Sequence, residues 1–304
     1  MLKYILSRIL IALTTLFVLI TATFFLVKML PGDPFLNDKI PVEIQERQRE
    51  YYGLNKPVIE QYFTYMGNLF KGDLGYSLKT MGRSVKDVIT EFFPVSAKLG
   101  LISMLVFDTL GILCGIICAQ NRGKWPDYAL LVFAVVCVAL PSMVIGPLMR
   151  YVLGAKLHLL PVAGWGSFRQ MIMPSVILGL GGIAGYTRSM RASMLTVMSE
   201  DYIKTARAKG ISPARVIWKH ELKNSFVPIM SSLGVGIASI LTGTFVVEDM
   251  FLIPGLGEHF TNSILSLDYP LVMGLTIFYG AFLIVMNLLV DVLYGIVDPR
   301  IRTT

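Results

Sequence analysis

The apolar residues of this sequence occur in long, nearly uncharged blocks, and this feature limits the fold more than any other. Each block approaches the roughly 20 residues that an α-helix needs to cross a hydrocarbon layer of about 30 Å. The blocks cover residues 9–30, 99–120, 128–149, 171–187, 226–247 and 271–297. Hydrophobic residues make up 54% of the chain and charged residues 15%, which excludes an ordinary soluble domain. We therefore expect an all-α integral membrane protein with about six transmembrane helices.

Two of these blocks need a further argument. The first is longer than the apolar core of a signal peptide and no A-x-A cleavage site follows it, which favours an uncleaved first helix. The fourth carries Pro174 and several glycines, including Gly179 and Gly182. These residues weaken a helix in water but allow close helix packing in lipid, so we retain the fourth block as a span.

The short connections between the blocks differ in their content of lysine and arginine, and this difference predicts the orientation. Basic residues are frequent in the N-terminal tail, around residues 122–124, over 188–223 and at the C-terminal end. The segment 248–270 contains acidic residues and no lysine or arginine. Because basic connections stay in the cytoplasm, both termini are expected there. The predicted divisions are 1–30 with the first helix, an extracytoplasmic segment 31–97, and a core domain 98–304 that includes a cytoplasmic loop, 196–225.

Composition and residue placement argue against several function classes. The net charge of +7 follows the positive-inside pattern and no RNA-stacking aromatic residues interleave with it, so no nucleic-acid partner is expected. The cysteines Cys114, Cys118 and Cys137 fall inside predicted spans, and the histidines are scattered, so neither a disulfide framework nor a metal site is expected. We find no catalytic constellation, which predicts a chain that is not an enzyme.

The segment 199–224 is the most informative part of the polar sequence. Its helix start and stop signals predict two short helices. Ser199 can cap the first, Gly210 can end it in a left-handed conformation, and Pro213 can begin the second. Short side chains at 205, 206 and 208 would let another protein approach the first helix, and Arg207 would add a cationic edge. A docking site for a partner and a merely basic loop both remain open at this point.

The same segment resembles the cytoplasmic loop of binding-protein-dependent permeases of ABC importers. The family pattern is Glu-Ala-Ala, three residues, Gly, nine residues, then Ile-x-Leu-Pro, and Gly210 and Leu222 align with it. The sequence has Lys-Thr-Ala at 204–206, His220 for the isoleucine and Lys223 for the proline. These departures resemble the peptide and nickel branch of the family, in which Thr-Ala-Arg-Ala-Lys-Gly is usual. Three further stretches also resemble that branch: residues 1–8, residues 93–100 and residues 291–300.

The resemblance implies a type I ABC importer permease fold in the bacterial plasma membrane. It implies an oligopeptide importer in which the chain pairs with a second homologous permease subunit, two cytoplasmic ATPases and an extracytoplasmic peptide-binding protein. The residues that would couple to the ATPases by the same resemblance are Lys204, Thr205, Ala206, Arg207, Ala208, Lys209, Gly210, His220 and Leu222.

ATP and Mg would be used by the partner ATPases, because the sequence contains no G-x-x-x-x-G-K-[ST] phosphate loop. The chain itself is expected to bind no cofactor. A dipeptide, nickel or metal-chelate importer of the same family is an alternative. An ion-coupled carrier that works alone is a more distant one.

Three polar residues in the predicted spans are candidates for the interior of the helix bundle. Asp108 lies near the middle of the second block, where an unpaired carboxylate costs about 2.5–3.5 kcal/mol. It is either a structural partner of a neighbouring helix or a cavity group that meets the substrate. Asn287 and Asp291 are four residues apart and share a helix face, where Arg188 or Arg191 could pair with them.

Overall fold

The computed structural model describes residues 2–30, 42–51, 53–80, 82–226, 228–230, 236 and 245–297. Within these residues the regular structure is helical, and a single β-bridge joins Tyr76 to Ser84. The membrane and outer helices are α1 (Leu2–Lys28), α2 (Val42–Tyr51), α3 (Val58–Phe70), α4 (Val85–Ser103), α5 (Thr109–Gln120), α6 (Trp125–Ala139), α7 (Ser142–Met149) and α8 (Phe168–Met198). Three short helices follow: α9 (Asp201–Ala208), α10 (Pro213–Val216) and α11 (Leu222–Ser225). The last two are the outer helix (Leu256–Leu265) and the C-terminal helix (Tyr269–Val297).

Four helical stretches among the described residues are long and apolar enough to cross a membrane: Leu6–Lys28, Val85–Gln120, Phe168–Met198 and Tyr269–Leu289. They correspond to the first, second, fourth and sixth predicted blocks. The fifth predicted block, 226–247, lies mostly outside the described residues. The all-α membrane fold expected from the sequence is confirmed.

The second span begins earlier than its apolar block. Ser84 accepts a hydrogen bond from the Asp87 amide at 3.1 Å, and the Asp87 carboxylate accepts one from the Ser84 amide at 3.2 Å. This capping box starts α4 at Val85, so the predicted boundary at 97/98 falls inside a helix. The five π-helical residues Met104–Asp108 then connect α4 to α5 without a break.

The third block is not the straight helix that we predicted. It divides into Trp125–Ala139 and Ser142–Lys156, which meet at an angle of 96°. Leu140 and Pro141 are extended at the break, with ψ of 114° and 138°. The cause is local, because a proline has no amide to donate and forces the preceding residue out of the helical region. The pair is therefore one broken span or a re-entrant loop.

Glycines allow α5 to pack closely against α8. A Cβ atom added at Gly115 would lie 2.6 Å from the Met190 Cβ, and one added at Gly111 would lie 2.8 Å from the Ile183 carbonyl oxygen. Thr187 also donates a hydrogen bond to the Gly111 carbonyl at 3.1 Å. This contact holds the first turn of α5 against the middle of α8, and Ala119 near the end of α5 packs in one cluster with Met194 near the end of α8, where the polar segment of interest begins.

Several long-range hydrogen bonds lie at the two opposite ends of the spans. At one end Ser96 accepts from the Leu256 amide, and the Gly164 amide donates to the Phe251 carbonyl at 2.8 Å. At the other end Gln120 donates to Glu221. The first group joins segments predicted to be extracytoplasmic and the second joins segments predicted to be cytoplasmic. We therefore call these the outer end and the cytoplasmic end.

Candidate functional site

Residues 201–225, which we call the cytoplasmic hairpin, form a compact unit at the end of α8. The hairpin contains α9, a turn at residues 209–212, α10, the π-helical residues Ile217–Glu221 and α11. The two short helices predicted on either side of a glycine turn are therefore present. The second arm is longer and less regular than a single α-helix.

Gly210 ends α9 in the conformation expected from the sequence. Its φ is +73°, in the left-handed region that favours glycine. Its amide donates to the Arg207 carbonyl at 3.0 Å, and the next amide, of Ile211, donates to the Ala206 carbonyl at 3.4 Å. This pair of bonds is a Schellman motif, and Ile211 also packs against the apolar cluster that contains Ala206. The turn is therefore closed by backbone geometry and packing together.

The beginning of α9 differs from the prediction. Ser199 does not cap it; Ser199 instead ends α8 and donates its hydroxyl to the Thr196 carbonyl at 2.7 Å. The N-cap residue is Glu200, whose side chain makes no capping hydrogen bond. Ser212 and Pro213 begin α10 as expected. The predicted role of Ser199 was wrong because α8 continues to Met198, and no glycine or proline before Ser199 marks the end of that helix.

Ala206 lies inside the hairpin and not on its surface. It is 5% exposed and packs with Ile203 and Val216. The expectation that its short side chain faces an approaching partner is therefore wrong. Its small size instead lets the two arms of the hairpin approach each other. Thr205 and Ala208 are exposed, as expected for a docking surface.

Glu221 is the central polar residue of the hairpin. It is 0% exposed, and its two carboxylate oxygens accept from different elements. Arg207 donates to Oε1 at 2.8 Å, and Gln120 donates to Oε2 at 2.7 Å. Arg207 belongs to α9 and Gln120 is the last residue of α5, so one carboxylate ties the hairpin to a membrane helix. Arg207, predicted to supply a cationic edge, is 54% exposed and is also a structural member of the hairpin.

Further contacts join the second arm to the first arm and to α8. Ser193 donates to the Ser225 carbonyl at 2.8 Å, and Asn224 donates to the Tyr202 hydroxyl oxygen at 2.9 Å. Leu222 is half-buried and packs on a cluster that contains Met190. His220 is also half-buried, and its carbonyl accepts from Asn224. The arm that follows the turn is therefore anchored on the membrane helices.

The exposed face of α9 is mainly cationic. Lys204 is exposed there, together with Thr205 and Ala208, and Lys209 is exposed directly after the helix. Lys204 pairs with Asp201 at 2.8 Å, and this hydrogen bond lowers the pKa of the Asp201 carboxyl below its usual value. Both partners are solvated, so the pair adds little to stability. The face combines small side chains with positive charge, which suits a protein surface of acidic character.

A second ion pair fixes α6 to α8 near the same end. Arg191 donates through Nε and Nη2 to the two oxygens of Asp127, each at 2.7 Å. Asp127 is 1% exposed and also accepts from the Gly123 amide at 3.0 Å. We expected Arg188 or Arg191 to pair with the C-terminal helix. Arg191 pairs instead with Asp127 at the start of α6 among the described residues, and the side chain of Asp291 lies outside them, so the pairing with the C-terminal helix stays a prediction.

The intramembrane candidates have different surroundings. Asp108 is 4% exposed, lies at the end of the π-helical segment and lines a cavity of about 490 Å³. If Asp108 were a structural partner of a neighbouring helix, its carboxylate would accept a hydrogen bond from that helix. No such hydrogen bond is present among the described residues. Asn287 is half-buried in the C-terminal helix, which also contains Asp291, whose side chain lies outside the described residues.

Sequence reasoning did not identify Glu221, Gln120 or Asp127. A weak signal existed for two of them, because Glu221 is an acid in a strongly basic segment and Asp127 stands at the start of an apolar block. Neither signal names a partner, since Glu221 and Gln120 are 101 residues apart and Asp127 and Arg191 are 64 apart.

Comparison with known proteins gives a consistent result over the whole chain. Residues 111–303 match the family described as "Binding-protein-dependent transport system inner membrane component", and residues 1–100 match the N-terminal family of the same systems. An oligopeptide transport system permease protein, OppB of Haemophilus influenzae, is 42% identical over 99% of this chain and 100% of its own length. OppB of Escherichia coli K12 has the same identity and coverage. A dipeptide transport system permease protein, DppB of Bacillus subtilis, is 40% identical over 99% of this chain and 98% of its own.

Proposed function

The chain belongs to the family of inner-membrane components of binding-protein-dependent transport systems, and on that basis we propose that it forms half of the translocation pathway of an ATP-driven oligopeptide importer. It is a multi-pass permease subunit of the bacterial inner membrane. The other half of the pathway would come from a second, homologous permease subunit. Two cytoplasmic ATPases would supply the energy, and an extracytoplasmic binding protein would deliver the peptide.

The observation that carries the proposal is the attachment of the cytoplasmic hairpin to the membrane helices. The buried Glu221 carboxylate accepts from α9 through Arg207 and from α5 through Gln120. The second arm is held to α8 through Ser225. A force applied to α9 therefore reaches two spanning helices through short contacts. A loosely attached basic loop would absorb the same force by moving alone.

The exposed face of α9 would receive that force from an ATPase. When the ATPases close on ATP, they would press on Thr205, Ala208 and the two flanking lysines, and the hairpin would move as a unit. The helix bundle would then rock between a cavity open to the outside and one open to the cytoplasm. ATP and Mg would act in the ATPases, and this chain would transmit motion without binding either.

A cross-linking experiment tests the docking face. We expect a cysteine at Ala208, which is exposed on α9, to cross-link to an ATPase in the assembled complex. A matched cysteine at Ser199, which is also exposed but ends α8, should react less with the same ATPase. A third at Leu157, exposed near the outer end, should not react with it at all. Equal cross-linking at all three positions, or cross-linking at Leu157 alone, would contradict the assignment.

The substrate is proposed from the relatives and tested separately. Two of the relatives described above are oligopeptide permease proteins and one is a dipeptide permease protein, with nearly the same identity. The complex should import radiolabelled peptides of three to five residues and lose this import when its binding protein is omitted. Import restricted to dipeptides would favour the alternative within the same family. Import of nickel without peptides would refute the peptide proposal.

A further inference from the structure

Asp108 is placed in the membrane region with space reserved for its carboxylate. It ends the π-helical segment Met104–Asp108, which packs against α8. A Cβ atom added at Gly182 on α8 would lie 2.2 Å from Asp108 Oδ1, well inside contact distance. The neighbouring Gly179 makes room for Phe107 in the same way. Two glycines of α8 thus accept the two side chains that the π-helical segment presents.

The carboxylate has no protein donor among the described residues. It is 4% exposed, and neither Oδ1 nor Oδ2 has a hydrogen-bond partner. An unpaired carboxylate at the middle of a membrane helix is energetically costly, and more so when it is fully desolvated. A costly buried carboxylate that bonds to none of the described residues is suited to bonding a group that enters from outside the chain.

A cavity adjoins Asp108 on the side of the broken span. Its volume is about 490 Å³, within the range of small-molecule sites. The wall includes Cys137, Pro141 and Ser142 at the 96° bend, and Gly182 on α8. Asp108 is the one charged residue among the described residues of this wall. The cavity is therefore mostly apolar and partly open, with a single negative group among its described residues, and it lies where the helical path is interrupted.

We propose that this cavity receives a cationic group of the translocating peptide, either its α-ammonium group or a lysine or arginine side chain, with Asp108 as its counter-charge. The inference rests on the proposed function, since it assigns a contact on the path of that substrate. An ammonium group offers three donors and a guanidinium offers five, and the two carboxylate oxygens are free to accept them. The apolar wall would strengthen the attraction by excluding water.

The test compares peptide pairs in proteoliposomes that contain the complete importer, its binding protein and ATP. One pair is Ala-Ala-Ala against its N-acetylated form, which isolates the α-ammonium group. The other is Ala-Lys-Ala against Ala-norleucine-Ala, which isolates the side-chain charge. For each variant, the two peptides of a pair compete for uptake, and the ratio of their uptake rates is divided by the same ratio measured for the wild type. Because both complexes use the same binding protein, its own preference cancels. Asp108→Asn should reduce the advantage of the cationic member in one of the pairs by roughly tenfold.

Two glycine variants provide a matched control that keeps the carboxylate. Gly182→Ala places a methyl group against Asp108 Oδ1 and should shift the same ratio in the same direction. Gly181→Ala adds its methyl group where no atom lies within 4 Å, and should leave the ratio unchanged. This comparison remains informative if Asp108→Asn assembles poorly.

The outcomes separate the inference from the proposed function. If the wild-type complex imports all four peptides but Asp108→Asn and Gly182→Ala leave both ratios unchanged, the cation site is refuted and the peptide permease stands. If Asp108→Asn instead reduces all four peptides equally and loses the second permease subunit on purification, Asp108 is a subunit contact and the inference is refuted. If the wild-type complex imports no peptide, the proposed function and the inference fail together.

Discussion

Arg207→Ala should destabilise the cytoplasmic hairpin more than is usual for the loss of a half-exposed arginine. The Arg207 side chain is 54% exposed, whereas the Glu221 side chain that it contacts is 0% exposed. Removing the arginine leaves a buried carboxylate with Gln120 as its side-chain donor among the described residues. Neutralising the carboxylate by Glu221→Gln leaves a guanidinium that water can reach. The two substitutions at one ion pair should therefore have unequal costs.

The size of this difference follows from the burial of each partner. Loss of one partner from a buried ion pair costs about 3–5 kcal/mol, and exposed pairs contribute about 0.2–1 kcal/mol. The half-exposed guanidinium places Arg207→Ala between these limits, at about 2 kcal/mol, which corresponds to a roughly 30-fold increase in local opening. Glu221→Gln retains an acceptor of similar volume and should cost about 1 kcal/mol. The double variant should cost less than the sum, because no unpaired carboxylate remains.

Hydrogen exchange of the assembled complex, measured by mass spectrometry over residues 201–225, reports this opening directly. Lys219→Ala is the matched control, because its side chain is exposed on the second arm and makes no ion pair with the described residues. We expect much faster exchange in Arg207→Ala than in Lys219→Ala, and partial recovery in the double variant. Equal exchange in the two single variants, or strictly additive costs, would refute the role given to the buried carboxylate.

Three further predictions concern single residues. Gly210→Val should strain the left-handed turn by roughly 1–2 kcal/mol and lower the number of peptides imported per ATP hydrolysed, and an unchanged ratio would count against the turn as part of a lever. Ala206→Arg should disrupt the hairpin core and speed its hydrogen exchange, whereas Ala208→Arg should keep slow exchange and lose the ATPases on purification. Burial lowers the pKa of His259, so the stability that depends on the neutral imidazole should be fully present above about pH 6.5. It should decline as the pH falls towards the lowered pKa. Melting curves of the wild type and His259→Phe between pH 7.5 and 5 test this, and a parallel decline in both would exclude the histidine.

The spans and the glycine turn were predictable because both depend on local properties. A block of about 20 apolar residues has few alternatives to a membrane helix, since lipid offers no partner for free backbone groups. The turn at Gly210 depends on the lack of a Cβ atom at one position, which the sequence states directly. The start of α4 was also predictable, because Ser84 and Asp87 have the spacing of a capping box. We used hydropathy alone, which placed the boundary of the core domain later, at 97/98.

The polar contacts of the candidate site were not predictable in the same way. Glu221 reaches Gln120 across 101 residues and Asp127 reaches Arg191 across 64, so each pairing depends on how helices pack. The bend at Pro141 was visible as a proline in an apolar block, but membrane helices tolerate prolines, and a kink and a 96° break have the same signature. Ala206 was placed on the wrong face because the period of an eight-residue helix does not reveal which side its neighbour covers.

Peptide import into proteoliposomes that contain either the chain alone or the complete complex tests most directly whether this subunit works through partner ATPases. We expect ATP-dependent import when both permease subunits, the ATPases and the binding protein are present. We expect none from the chain alone, with or without a proton or sodium gradient. Gradient-driven import by the chain alone would contradict the coupling through the cytoplasmic hairpin and establish an ion-coupled carrier in its place.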